Sequence, residues 1–318
     1  MRYRKIGGTD LQASSIGFGC WALGGHGYGN VSDQDSIKAI RHAISQGINF
    51  FDTADVYGFG RSEYILGQAL GADKKNVIIA SKFGIGWTDS GQTYKDTSAK
   101  RVSIALESSL KRLNIECIPL YQIHWPDLNT PIEDTLAELE KCQKAGKILH
   151  IGVSNFNIDL IKRAQKFWRI ESSQLEFGPP YSQINAEFEN VLSDHNMGVI
   201  AYGILGRGLI SGKYNNDNKF GDNDTRSIFR KENPSAYNSI LQSAKLLSDE
   251  AGKYNISSVQ LAIRIALNNP HITTGIIGFK TVEQVSSAID SFGCTIDSFN
   301  LNAIKMQLLS NYSNSIII

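Results

Sequence analysis

The sequence predicts an α/β fold, a (β/α)8 TIM barrel, and three observations carry that expectation. First, apolar runs of strand length recur at 15–21, 49–53, 76–82, 118–124, 150–154, 173–177, 198–204 and 274–279. They are rich in Val, Ile and Phe on both faces, as strands covered on both sides of a parallel sheet should be. Second, the segments between them carry helical periodicity, and strict strand–helix alternation implies a parallel sheet. Third, the first strand–helix turn, from Gly17 through Gly19 to Gly24-Gly25, lacks GxGxxG spacing. That separates the chain from an open dinucleotide-binding sheet. Strand–helix units in this number and over this length fit a closed barrel.

Taken in order, residues 1–15 alternate apolar and polar around Gly7-Gly8, as an N-terminal β-hairpin does. Ser32-Asp33 caps a helix over 36–46, where Ile37, Ile40 and Ile44 recur at helical spacing and Gly47 ends it. Thr97 and Ser98 open a helix to Leu113, and Thr130-Pro131 opens another that closes near Gly146. Further helices are expected at 157–168, 184–195, 237–252 and 257–269. The polar stretch 206–236, rich in Gly, Asn and Asp, reads as a long functional or mobile loop after strand 7. Residues 281–318 add extra C-terminal helices, one directly after strand 8 and one over about 298–311. No composition break marks a linker, so a single domain over 1–318 is expected.

Composition excludes several classes of function. Lys and Arg number 32 against 31 Asp and Glu, a formal net charge of +1. That offers no electrostatic case for nucleic acid or an anionic membrane surface. Cys20, Cys117, Cys142 and Cys294 lie far apart without CxxC spacing, so neither a disulfide framework nor a metal site is expected. The first residues lack the apolar run of a signal peptide, and no stretch approaches the roughly 18 apolar residues of a membrane span. A soluble cytoplasmic protein is the expectation.

In a barrel of this kind the chemistry sits at the C-terminal ends of the strands. Strand 2 ends in Asp52, with Asp55 and Tyr57 just beyond; strand 3 ends in Lys82; strand 4 ends in His124. Each alone has an ordinary structural reading. Asp52 could cap a turn, Tyr57 could be packing, Lys82 could reach solvent and His124 could be a core histidine. Together on one rim they make chemical sense. A Tyr hydroxyl is a poor acid at neutral pH, and a nearby ammonium lowers its pKa toward the working range. Lys82 can supply that charge, Asp52 can hold Lys82 in an apolar mouth, and His124 can orient a substrate oxygen. Such a set protonates an oxygen that gains negative charge, as a carbonyl does on receiving hydride. Asp55 reads as a loop-capping residue.

Asp52, Tyr57, Lys82 and His124, in this order and on these strands, resemble the catalytic tetrad of the aldo-keto reductases. The resemblance runs nearly end to end. It includes Asn49-Phe50-Phe51-Asp52-Thr53-Ala54, Tyr57-Gly58, Ser62-Glu63, Ser81-Lys82, Gly152-Val153-Ser154-Asn155-Phe156 and Gly206-Arg207-Gly208-Leu209-Ile210-Ser211-Gly212-Lys213. The style is that of the bacterial branch. The resemblance implies an NADPH-dependent reductase of aldehydes, ketones or sugars, reversible toward alcohol oxidation, with Tyr57 as proton donor and a small-molecule carbonyl as substrate. It implies that Ser154, Asn155 and Gln174 meet the nicotinamide carboxamide, that Tyr202 stacks on its ring, and that Trp21 borders it. It places Gly203, Leu205, Arg207, Gly208 and Lys213 along the pyrophosphate. Gly278, Lys280 and Thr281 fall at the adenosine 2′-phosphate, where cationic Lys280 favours NADPH over NADH, and Gln284 falls near the adenine. Trp21, Trp87 and Trp125, in the loops after strands 1, 3 and 4, and Asp127 would line the substrate pocket.

The sequence departs from the family pattern in two places. A common Glu-Asn pair at the adenine edge is Ser287-Ala288, and a common Tyr-Ser-Pro-Leu reads Tyr202-Gly203-Ile204-Leu205. The fold also serves in cytoplasmic NADP(H)-binding regulatory subunits such as potassium channel β subunits, which is the alternative reading; the complete tetrad favours an enzyme.

Overall fold

The computed structural model describes residues 1–25, 27, 31–178, 181–182 and 184–312. The chain opens with the expected hairpin, β1 (Tyr3–Lys5) against β2 (Gln12–Ser14). It lies across the N-terminal end of the barrel, where Gly8 N–H donates to the Asn196 carbonyl at 2.9 Å.

The barrel then begins. β3 (Ile16–Gly19) leads through a short 3-10 turn, Trp21–Gly24, to α1 (Asp33–Ser45), whose N-cap Ser32 accepts from Asp35 N–H. β4 (Phe50–Asp52) is followed by α2 (Arg61–Leu70), a helix missing from the expectations above. β5 (Ile78–Phe83) runs into a small hairpin, β6 (Ile85–Trp87) with β7 (Thr93–Lys95), where the sequence predicts loop. A turn closed by Thr88 N–H on the Gln92 carbonyl makes that hairpin possible. α3 (Ala99–Leu113), β8 (Ile118–Ile123), α4 (Ile132–Lys144), β9 (Ile148–Ser154) and α5 (Ile158–Ala164) follow. Next come β10 (Ser172–Gly178), the short β11 (Tyr181–Ser182), α6 (Ala186–Asp194) and β12 (Gly198–Tyr202).

The stretch expected to be one long loop after β12 contains structure. A 3-10 segment spans Gly206–Ser211, and α7 (Thr225–Glu232) precedes α8 (Pro234–Gly252). α9 (Ser258–Leu267), β13 (Ile272–Gly278), α10 (Val282–Ile289) and α11 (Ser298–Tyr312) complete the chain, the last two being the expected C-terminal additions.

Eight strands close the barrel in the order β3-β4-β5-β8-β9-β10-β12-β13, all parallel, with β13 returning to β3. Its staves are buried on both faces: Phe18, Phe51, Ile79, Tyr121, Ile151 and Val199 pack under the helices, and Phe50, Ala80, Leu120 and Ile200 fill the interior. A third apolar cluster joins the 3-10 segment, α8, α9 and α11 around Leu209, Tyr237, Leu247 and Leu308. The architecture therefore presents every strand's C-terminal end at one rim. Among the described residues no helix is long and apolar enough to cross a membrane.

Candidate active site

The rim residues of β4, β5 and β8 converge. Adjacent registers set this up: Asp52 pairs with Ala80 across β4–β5, and Lys82 with Gln122 across β5–β8. Lys82 is fully buried, and its ammonium donates to three acceptors: Asp52 Oδ1 at 2.7 Å, the Thr53 carbonyl at 3.0 Å and Tyr57 Oη at 3.2 Å. The same nitrogen lies 4.9 Å from the Tyr57 ring centroid. A buried ammonium needs this degree of compensation, because desolvating it is expensive. Asp52 is likewise saturated, its second oxygen accepting from Gln174 Nε2 at 2.7 Å.

Tyr57 reaches the site because the chain after β4 turns tightly. Gly58 has φ +61, and a Cβ there would lie 2.2 Å from the Gly24 carbonyl oxygen, so only glycine lets this loop press against the turn after β3. The close approach stacks Trp21 on Tyr57 with centroids 6.0 Å apart. His124 meets the Tyr57 ring edge-on at 5.6 Å. Burial, reinforced by the Lys82 charge, holds the His124 imidazole well below its ordinary pKa, so it stays neutral. Its Nδ1 is buried without a partner among the described residues.

The next strands extend the rim. Asn155 (φ +61) donates from Nδ2 to the His124 carbonyl and to Ser154 Oγ, and accepts the Tyr202 hydroxyl at 2.6 Å. Burial holds the Tyr202 phenol above its ordinary pKa range. Ser154, Asn155 and Tyr202 thus sit together. Gln174 joins them, with its amide nitrogen committed to Asp52.

After β12 the backbone turns through Gly203, Gly206, Arg207 and Gly208, all at positive φ. A Cβ on Gly208 would meet no atom within 4 Å, so the turn faces open space. Leu205 packs into the core beneath it. Arg207 lies 3.9 Å from Glu176 and 4.1 Å over the Phe229 ring, and Lys213 is exposed beyond the turn. Gly278, at the end of β13, also faces open space. Thr281 caps α10, and Gln284 accepts from Lys280 N–H at 2.8 Å. Burial and the nearby Arg226 lower the pKa of Lys280, against the pull of Asp224.

Arg226 was missed by sequence reasoning. It makes a two-pronged pair with Asp224, 2.8 and 2.6 Å, and stacks on Tyr214 and Phe220. Thr225 donates from N–H and Oγ1 to the Gly27 carbonyl at 2.9 and 3.0 Å, tying the segment after β12 to the one after β3. Nothing in a polar stretch announces such a crossing.

Asp127, expected at the substrate, accepts from Asn129 N–H and Thr130 Oγ1 in its own loop and from Thr97 N–H ahead of α3. Asp55, read from the sequence as a loop-capping residue, has a second tie outside its loop. It is fully buried and pairs with Arg101 Nη2 at 2.6 Å. Burial still pushes its carboxyl up to about 7, with the Arg101 charge opposing. The tryptophans stand around the rim: Trp21 on Tyr57, Trp87 against Phe59 at 5.7 Å, and Trp125 under Lys95 at 5.1 Å.

The model of the Aldo/keto reductase family matches residues 15–307. Aldo-keto reductase YhdN of Bacillus subtilis (strain 168) is 33% identical over 323 residues, covering 99% of this chain and 96% of that protein. The chain belongs to the aldo/keto reductase family. The structure of glycerol dehydrogenase AKR11B4 from Gluconobacter oxydans superposes with a TM-score of 0.87 at 32% identity, covering 99% of this chain and 97% of that one. A probable voltage-gated potassium channel subunit beta from Arabidopsis thaliana is 28% identical over 304 residues, covering 90% of this chain and 89% of that protein. Family and fold together make this aldo/keto reductase an oxidoreductase, built on the eight-stranded barrel expected of it.

Proposed function

We propose that this aldo/keto reductase reduces the carbonyl of an aldehyde, ketone or sugar with NADPH, using Tyr57 as the proton donor. The observation that carries the reading is the Lys82 ammonium donating at once to Asp52 and Tyr57 from a fully buried position. When bound, the nicotinamide supplies the hydride. Tyr57 gives its proton to the carbonyl oxygen, and the adjacent ammonium stabilises negative charge on the phenol oxygen as that proton leaves. Asp52 fixes Lys82, and Gln174 fixes Asp52. Neutral His124 serves as a hydrogen-bonding group that orients the carbonyl rather than as the acid.

The rim fits a phosphorylated dinucleotide on its own features. Glycine turns with open space beside Gly208 and Gly278 admit a backbone-hugging ligand. The α10 N-terminus, with Lys280 and Thr281 ahead of it, offers N–H groups and positive charge to an anion. Ser154, Asn155, Gln174 and Tyr202 would hold the nicotinamide end, with Trp21 beside it. Gly203, Leu205, Arg207, Gly208 and Lys213 would follow the pyrophosphate. Gly278, Lys280, Thr281 and Gln284 would take the adenosine end, Lys280 giving the preference for the 2′-phosphate of NADPH. Trp21, Trp87 and Trp125 would wall the substrate. One domain over 1–318 carries all these parts, and the protein acts in the cytoplasm.

The likeness to a channel β subunit supports a second reading, in which NADP(H) binding matters more than turnover. Loss of NADPH absorbance with short aldehydes, sugars and aromatic carbonyls separates the two. Turnover on any of them supports the reductase; tight NADPH binding with no turnover on all of them supports the regulatory reading.

A further inference from the structure

The proposed proton donor and the β6–β7 hairpin are joined by a buried ion pair that the chemistry above does not use. Asp55 stands between Asp52 and Tyr57 in the chain, and its N–H donates to the Lys82 carbonyl at 3.2 Å. Its Oδ2 meets Arg101 Nη2 at 2.6 Å, and the same Nη2 donates to the Ile85 carbonyl at 3.0 Å. The Arg101 guanidinium lies 5.1 Å from the Trp87 ring centroid. One guanidinium from α3 therefore holds both ends of a gap, the Tyr57 loop on one side and the first strand of the hairpin on the other. Phe59 packs on Trp87 from the Tyr57 side. At the hairpin's other strand Lys95 covers Trp125, the residue after His124. The hairpin thus spans the mouth from Tyr57 to His124.

Stability is a poor explanation for the pair. Asp55 Oδ1 and Arg101 Nε are both buried without partners among the described residues. A buried ion pair so incompletely matched gains little over apolar packing of the same volume. A bidentate or stacked Arg is a device for placing one element against another.

We propose that Asp55 and Arg101 are positioning residues that lock the Trp87-bearing hairpin to the Tyr57 loop and so set selectivity for carbonyls with aromatic substituents. The proposal rests on the carbonyl-reductase reading. The lock acts on the flat wall that a ring would lie against, not on the proton transfer. Small polar carbonyls that do not reach that wall are insensitive to it.

The test compares 4-nitrobenzaldehyde with DL-glyceraldehyde, both with NADPH, in Arg101→Gln, Trp87→Ala, the double variant and Asp55→Asn. Arg101→Gln is expected to raise KM for 4-nitrobenzaldehyde about tenfold, to change kcat by less than about threefold, and to leave the glyceraldehyde constants within about twofold. Trp87→Ala should raise KM for 4-nitrobenzaldehyde by at least as much, and the double variant should add little to that rise, since the two act through one contact. Asp55→Asn, which keeps the side chain's shape, should give a weaker form of the same pattern. Amide hydrogen exchange supplies a readout without turnover: protection across 85–95 should fall in Arg101→Gln while that of 50–54 is kept. Equal losses on both substrates, additive effects in the double variant, or unchanged exchange across 85–95 would overturn the proposal. If the wild-type protein reduces neither probe, the reductase reading fails, and the exchange data still decide whether the lock exists.

Discussion

The Lys82 ammonium donates to Tyr57 Oη at 3.2 Å from a position without solvent exposure. Burial and three acceptors fix the cation beside the phenol oxygen. Water does not screen it there, so its effect on charge at that oxygen is larger than at a surface. Lys82→Met keeps the length of the side chain and removes the charge. Carbonyl reduction with NADPH should fall by about a hundredfold or more in this variant, in the range of a lost acid–base contribution, while far-UV circular dichroism stays unchanged.

Asp52→Ala tests the other end of the pair. It strands a buried ammonium and frees Gln174, so it should destabilise the fold by about 3–5 kcal/mol. The measurement is urea unfolding, with a lower midpoint and an unchanged slope. The double variant Asp52→Ala/Lys82→Met should recover part of that loss, because the uncompensated charge is gone.

Lys280 and Arg226 converge at the α10 N-terminus, where the 2′-phosphate is proposed to lie. Lys280→Ala should weaken NADPH binding about tenfold or more and NADH binding little, as the loss of one charge-assisted contact to phosphate requires. Quenching of protein fluorescence on titration with each nucleotide measures this directly. Equal weakening of both would remove Lys280 from the 2′-phosphate.

His150 supplies a pH prediction at the opposite end of the barrel. Burial acts to lower its pKa, but hydrogen bonds to Glu171 at 3.0 Å and Asp10 at 2.9 Å outweigh that and raise it above 6.5. The folded state therefore holds this proton more tightly than the unfolded chain does. The stabilisation is complete below the unfolded pKa of about 6.5 and disappears as pH rises through the higher folded value. The difference in Tm between wild type and His150→Gln should accordingly be largest in mild acid and shrink toward alkaline pH. A difference that is constant with pH would contradict the assignment.

The sequence showed the barrel because its strands are apolar on both faces and separated by amphipathic helices, and that pattern survives without any contact information. It showed Asp52, Tyr57, Lys82 and His124 because polar residues at the ends of such strands are conspicuous. Helix α2 escaped because Gly67 lowers local helix propensity. The glycine is there for packing: a Cβ would lie 2.7 Å from the Leu113 carbonyl oxygen of α3. Helix α7 escaped because Arg226, Arg230 and Lys231 disguise it as polar loop. Arg101 and Asp55 escaped for a different reason. They lie 46 residues apart, and neither is unusual alone. The clue was present only as a basic residue beside the buried stripe of α3, where Val102, Ala105 and Leu106 face the strands.

The proposed proton transfer is tested most directly by Tyr57→Phe, which removes one oxygen and leaves the ring under Trp21. With NADPH and 4-nitrobenzaldehyde, kcat should fall by about 10²–10⁴-fold, while the dissociation constant for NADPH, read by fluorescence, stays within about threefold. Turnover at the wild-type rate in Tyr57→Phe would contradict the account.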